Sequence, residues 1–504
     1  MMKQRRGVTL IALVITIIVL LILAGVSIAM LTGDNGILTR ANEAEKENLI
    51  GKEKEQVKLA IQSLRINKEV NNDLILLTTE RLQQKMDIEA GIEKTEVLTA
   101  GDEYEILFKE TDRYYTIDKY GNIIDVQEII KDKNPGDITK GKNGEQLDGS
   151  EKHPYEIWNI EDLVVLSNMT NGQGVKIENG SITKISSTNN FSEKYIELKR
   201  NLNFKSKLSY ENSNRTDFGD INGNEEDGNV LIKEMETGNG FNPIAKDNFG
   251  IAFKGNFEGN NFEIKNIYIV GTNYAGVFGI VESAKISNLG IDGKITGQVK
   301  GIGGLIGLTI SNKELKTKIE NCYNKAEVKG ILKENYTGTG GLIGKVEGNT
   351  DIINCYNEGN ISSEQSGKAI QGGGGIVGYI RGSNANLNIF NSYNIGNISS
   401  NKKESSGIVG GIWAEGSLNM EHVFNAGISD KAILGSKGTQ NVTGKSLYYL
   451  DNIKDEGAQE AEIISKEQLC SKDFVNKLND YINKENKFTW KKWIFRENKY
   501  PTFE

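Results

Sequence analysis

GGLIG at 303–307, GGLIG at 340–344, GGIVG at 374–378 and SGIVG at 406–410, with AGVFG at 275–279 before them, are one five-residue phrase written five times. A second phrase runs between them: ISNLGIDGKI (286–295), IENCYNKAEV (319–328), IINCYNEGNI (352–361), IFNSYNIGNI (389–398) and a degenerate MEHVFNAGIS (420–429). Asn288 and Asn321 are 33 residues apart, Asn321 and Asn354 are 33 apart, and Asn354 and Asn391 are 37 apart. Recurrence of a strand–turn–strand unit at this period predicts a solenoid. Each unit has room for two or three short strands, too few for a four-stranded propeller blade. The sequence therefore predicts a mainly β chain built on a right-handed β-helix of about 30–37-residue repeats.

In such a coil the Leu and Gly of GLIG face opposite ways, which places Val277, Leu305, Leu342 and Ile376 in one interior column. Glycine suits the sharp bends. Asn288, Asn321, Asn354 and Asn391 are expected to stack as a structural ladder, their amides bonding along the axis. Cys322 and Cys355 fall one rung apart, a strand spacing of about 4.8 Å. That is within disulfide reach, but in-register stacking orients the bond poorly, so buried free thiols are expected.

Upstream, YEIWNIEDLVVLSN (155–168) reads as a strand followed by a helix capped near Asn159, and 194–198 reads as another strand. The repeats with this lead-in span 155–444. Downstream, 445–504 reads as a helical and aromatic cap, with a capping box at Ser465 and Gln468 and with Trp490, Trp493, Ile494 and Phe495 to close the last rung. Residues 131–154 carry four glycines and two of the four prolines without apolar periodicity, and are expected to be a linker. Before them, 32–130 reads as a charged helix plus a small antiparallel sheet, with Val57, Ala60, Ile61 and Leu64 on one helical stripe. The stretch 8–31 holds no charge over 24 residues. A helix of that length reaches about 36 Å, enough to span a membrane. Lys3, Arg5 and Arg6 before it place the N-terminus in the cytoplasm and the bulk of the chain outside.

Chemistry is sparse. The two histidines, His153 and His422, belong to no HExxH, and no GxSxG is present. The glycines at 372–375 lack the lysine of a phosphate loop. Asp292, Glu320, Glu327, Asp351 and Glu358 are carboxylates that a β-helix could use to cleave a polysaccharide, but their spacing suits outward-facing surface positions. No catalytic, cofactor-binding or metal residues are expected. A net charge of −8 argues against a nucleic-acid partner.

Two resemblances sharpen the expectation. The leader 1–7 followed at once by an apolar run, RRG-VTLIALV, resembles the type IV prepilin-type cleavage and methylation motif. The resemblance implies a prepilin peptidase cutting between Gly7 and Val8, a methylated Val8, and other pilins or a secretion machine as partners. Pilins usually carry a glutamate where this chain has Ala12, which puts filament packing in doubt. GGLIG followed by NCYN and a small-residue turn resembles GLUG-type repeats of bacterial surface and exported proteins, which also flank the catalytic domain of some immunoglobulin A peptidases. Together they imply a pilin-like, single-pass surface protein displaying a β-helix toward a protein or carbohydrate ligand. The alternatives are a carbohydrate-active enzyme and a plain anchored solenoid.

Overall fold

The computed structural model describes residues 14–22, 36–71, 77–130, 133, 135–178, 181–209, 240–246, 250–298, 300–311, 315–333, 336–365, 371–402, 404–413, 415–437, 441–453, 461–487 and 489–504. The chain divides into two compact units, Met1–Glu128 and Ile129–Glu504.

In the first unit, helix α1 (Ile37–Asn71) lays Val57, Ala60, Ile61 and Leu64 on Leu82 and Met86 of α2 (Thr79–Glu89) and on one face of a four-stranded antiparallel meander. The strands are Thr95–Ala100, Glu103–Phe108, Arg113–Ile117 and Ile123–Glu128. A buried charge fixes the helix to the sheet. Glu53 accepts from Arg113 at 2.7 Å, from the Tyr115 hydroxyl at 2.8 Å and from Thr111 at 2.7 Å. A carboxylate out of water is tolerated only when paired and hydrogen-bonded in this way.

The second unit is built of parallel strands. Successive repeats pair in register, so that Lys318 lies beside Asp351, Asp351 beside Asn388 and Asn388 beside Asn419. Each turn of the repeat contributes to three sheets. One has sixteen strands and is branched, one has five, and one has six. The strands of the six-stranded sheet are Phe278–Glu282, Ile306–Ile310, Ile343–Val346, Val377–Arg381, Val409–Trp413 and Leu434–Lys437. Helix α3 (Ile160–Asn171) is almost wholly buried at the start of the stack. Asn159 caps it by accepting from the Asp162 N–H at 2.8 Å, and Gly172 at φ +68° ends it.

Three expectations are corrected here. First, the expected architecture, a transmembrane pilin-like helix followed by a right-handed β-helix, is replaced. Among the described residues no helix is long and apolar enough to cross a membrane, and the described helical part of the apolar run is 14–22. Gly7 and Val8 lie outside the described residues. The parallel strands make a branched sixteen-stranded sheet and two smaller sheets rather than one uniform coil.

Second, GGLIG is a corner, not a strand with alternating faces. Gly301–Gly303 ends one strand, Gly304 and Leu305 bend, and Ile306–Ile310 begins the next. Leu305 and Ile306 are both buried, as are Leu342 with Ile343 and Ile376 with Val377. The glycines are there because the five- and six-stranded sheets meet backbone to backbone. A Cβ on Gly344 would stand 2.1 Å from the Ile302 nitrogen, and one on Gly378 would stand 2.5 Å from the Thr339 nitrogen. At the corners the rungs stack as closely, a Cβ on Gly375 standing 2.0 Å from the Gly407 carbonyl oxygen.

Third, the expected linker is packed. Lys133 Nζ lies 2.6 Å from Asp162 Oδ1 with both side chains fully buried, the Gly136 N–H donates to the same oxygen at 2.8 Å, and Ile138 and Leu147 are buried. A buried aspartate at a helix start needs donors, and this stretch supplies them.

Candidate functional site

Asn321 and Asn354 sit where the chain bends between two strands of the long sheet, and Asn288 and Asn391 hold the equivalent position within the strands Lys285–Gln298 and Asn386–Asn394. Asn288, Asn321, Asn354 and Asn391 all adopt left-handed backbone, φ +55°, +56°, +55° and +46°. Asparagine is among the few residues that tolerate this conformation, and its amide can bond at the same time. Asn391 Nδ2 donates to Asn354 Oδ1 at 2.8 Å, Asn354 to Asn321 at 2.9 Å, Asn321 to Asn288 at 2.8 Å, and Asn288 to Glu258 Oε1 at 2.8 Å. His422 and Ser446 continue the position at φ +65° and +56°, with His422 Nδ1 3.1 Å from Ser446 Oγ.

Sequence reading missed a second ladder three residues on. Asn324 donates to Asn357 at 2.8 Å, Asn357 to Asn394 at 2.7 Å, and Asn394 to Asn425 at 2.8 Å, all fully buried. Its signal is the second asparagine of NCYN. The two ladders run with opposite polarity, so their amide dipoles offset one another. Between them Tyr323, Tyr356, Tyr393 and Phe424 stack face to face at 4.8, 4.7 and 5.0 Å. Cys322 and Cys355 are free and buried, with the Cys322 N–H donating to Cys355 Sγ at 3.3 Å.

The C-terminal segment first pairs Ala461–Ile464 with the last repeat strand, Asn441–Leu450, and then lies along the side of this stack. Helices α4 (Lys466–Leu469) and α5 (Lys472–Lys484) follow the capping box formed by Ser465 and Gln468. Trp493 Nε1 donates to Asn391 Oδ1 at 2.8 Å, the Lys491 N–H donates to Asn354 Oδ1 at 3.0 Å, and Asn391 Nδ2 donates to the Lys491 carbonyl at 3.0 Å. Trp493 and Phe503 pack on Tyr393, whose hydroxyl is 2.9 Å from Thr502 Oγ1.

Where this segment meets the repeats it leaves a cleft of about 290 Å³, lined by Glu358, Tyr393, Ile395, Lys466, Cys470 and residues 496 and 498–502. Lys466, Arg496 and Lys499 bring three cations to it and Glu358 one carboxyl. Burial pushes the Glu358 carboxyl above its ordinary range, and the charge of Glu263 adds to this against Lys325 and Arg496. For Glu263 burial acts in the same direction, but Lys325, in contact with it, and the Tyr323 hydroxyl at 2.6 Å outweigh burial and hold it low. A cleft with three cations and one carboxyl favours an anionic group.

The other candidate carboxylates fall on the surface of the long sheet. Glu320 pairs with Lys285 at 3.0 Å, Glu327 with Lys294 at 4.0 Å and Asp351 with Lys316 at 3.1 Å, while Asp292 is half-buried. Only Glu358 reaches the cleft. His422 is buried, stacked on Tyr481 at 4.7 Å, and its ring is pushed down to about 3 by that burial. Among the described residues no three His, Cys, Asp or Glu side chains converge to hold a metal.

Comparison with known proteins agrees with the repeat. The GLUG motif family matches residues 335–362, one rung of the stack. That match does not reach the N-terminal segment. Among solved structures, a candidate immunoglobulin A1 protease from Bacteroides ovatus is similar in fold, with a TM-score of 0.50 at 17% identity over 72% of this chain and 97% of that one. No curated protein matches the chain. The chain is a mainly β protein that carries the GLUG repeat on a stack of parallel strands.

Proposed function

We propose that the chain is an exported, surface-displayed binding protein that takes an anionic group of an extracellular ligand in the cleft beside Arg496. The observation that carries this reading is the concentration of Lys466, Arg496 and Lys499 around one opening to which, among the described residues, Glu358 alone brings a carboxyl. The GLUG match supports display outside the cell. The basic leader ending at Gly7 supports export with processing by a prepilin peptidase, and a mature chain beginning at methylated Val8 in intact-mass analysis is the expected sign of it.

The test is a binding screen of the full chain against carboxylated, sulfated and neutral polysaccharides and acidic peptides at low salt. Saturable binding to anionic members, weakened at least about tenfold by Arg496→Gln, is the expected result. Equal binding of neutral and anionic members would sink the reading. Glu358 and Glu263, pushed in opposite directions, favour a second reading, polysaccharide cleavage with Glu358 as proton donor. Release of reducing ends in the same screen, abolished by Glu358→Gln, would decide for it.

A further inference from the structure

The first asparagine ladder is covered over only half its length. Asn391 and Asn354 are 0% and 4% exposed beneath the C-terminal segment, whereas Asn321 and Asn288 are only half-buried. Over the covered half, the chain's own backbone is gripped in a specific way. The N–H of Lys491 is taken by Asn354 and its carbonyl by Asn391, so one residue is bracketed by two consecutive rungs. Asn354 Nδ2 also approaches the Thr489 carbonyl at 3.4 Å. Lys491 is held through both backbone groups, whereas Trp493 reaches Asn391 through its indole N–H and gives its backbone to Asn479. The lysine side chain is not used in these bonds. The walls of this seat are side chains flanking the ladder: Phe390, on which Trp490 stacks at 5.8 Å, and Tyr393, on which Trp493 packs at 5.6 Å.

The segment leaves the ladder before it reaches the lower rungs. The Trp490 N–H donates to the Lys487 carbonyl at 2.9 Å and the Lys487 N–H to the Ile482 carbonyl at 3.0 Å, which turns the chain back toward α5. The same floor continues beneath. Asn321 and Asn288 repeat the backbone angle and the amide chain, flanked by Glu320 and Tyr323 on one rung and by Ser287 and Gly290 on the other. Each uses one amide hydrogen along the ladder, and among the described residues the second has no protein partner.

We infer that the rungs at Asn321 and Asn288 form a binding site for an extended polypeptide, held through its backbone N–H and C=O groups in the manner of Lys491. The occupant is a segment of another protein, because the chain's own segment is committed one rung away. Backbone recognition gives affinity with little demand on sequence.

The experiment uses the full chain and a fluorescent peptide copying residues 489–495, TWKKWIF. Anisotropy is expected to show saturable binding. N-methylation at the position equivalent to Lys491 removes the N–H donor and is expected to weaken binding about tenfold. Alanine at that position leaves it little changed. Asn321→Gly keeps the left-handed backbone open and removes the amide, and is expected to weaken the peptide as strongly. Absence of saturable binding would overturn the inference. So would equal binding of the N-methylated peptide, or undiminished binding to Asn321→Gly, which would place the peptide on rungs the C-terminal segment already holds. The N-methyl comparison needs no substituted protein, so a folding defect in Asn321→Gly leaves the test intact.

Discussion

Asparagine at the ladder positions meets two demands together, a positive φ and an amide that both donates and accepts. His422 occupies the same position in the degenerate repeat and meets only the first fully. Its ring is buried, and its ionisation is pushed down to about 3. The unfolded chain takes up a proton near pH 6.5 while the folded chain refuses it until about pH 3. Stability contributed by the neutral ring is therefore present above pH 6.5 and lost as pH falls. Between pH 7 and pH 5 the loss amounts to about 2 kcal/mol from this group. His422→Asn, which restores the residue of the other rungs, is expected to remove that part of the acid sensitivity. Urea unfolding of both proteins at pH 7 and pH 5 checks it, and equal pH dependence would count against the account. The imidazole was legible as an oddity in the repeat, but its burial was not, because Tyr481 and Trp490 come from a segment some sixty residues on.

At the scale of elements, the repeat told more about period than about shape. In-register pairing of 33-residue and 37-residue units follows from the spacing of the asparagines, and the helix after Asn159 follows from its cap. The meaning of GGLIG did not. Alternation predicts one face in and one face out, whereas both apolar residues are buried at a corner and the glycines admit a neighbouring backbone. Composition signals that glycine is needed, but bends and close approach both need it. The second ladder was missed because only one asparagine of each NCYN was followed along the stack. Replacing Gly375 with alanine drives a Cβ to 2.0 Å from the Gly407 carbonyl oxygen and 2.5 Å from Asn394 Cγ, a side chain held in the second ladder. The expected cost is about 1–3 kcal/mol. Gly51→Ala, in the exposed interior of α1 with nothing within 4 Å, is expected to gain about 0.5–1 kcal/mol instead. Denaturant midpoints for the two variants on either side of the parent check the pair, and a neutral Gly375→Ala would contradict the close stacking of successive corners.

The whole molecule is two units, a helix-and-meander unit and a parallel stack closed along its side by its own C-terminal segment. The division was expected after residue 130 and falls after Glu128, but the packing of the stretch that follows was not legible. Residues 131–154 look like a linker because their apolar residues are few, yet Lys133 and Gly136 serve a buried Asp162 that the sequence alone does not mark as buried. The cleft was beyond sequence reading because its cations come from the C-terminal segment and its carboxyl from a repeat more than a hundred residues earlier. Its location offers a direct probe. Cys322 and Cys355 are fully buried, while Cys470 is partly exposed and lines the cleft. The rate of maleimide modification at Cys470 at pH 8, with and without a saturating anionic ligand from the screen, tests the central claim. The account predicts that the anionic ligand slows modification at least about tenfold and that a neutral polysaccharide leaves it unchanged. An unchanged rate under saturation would place the ligand elsewhere on the molecule and contradict the assignment of the cleft.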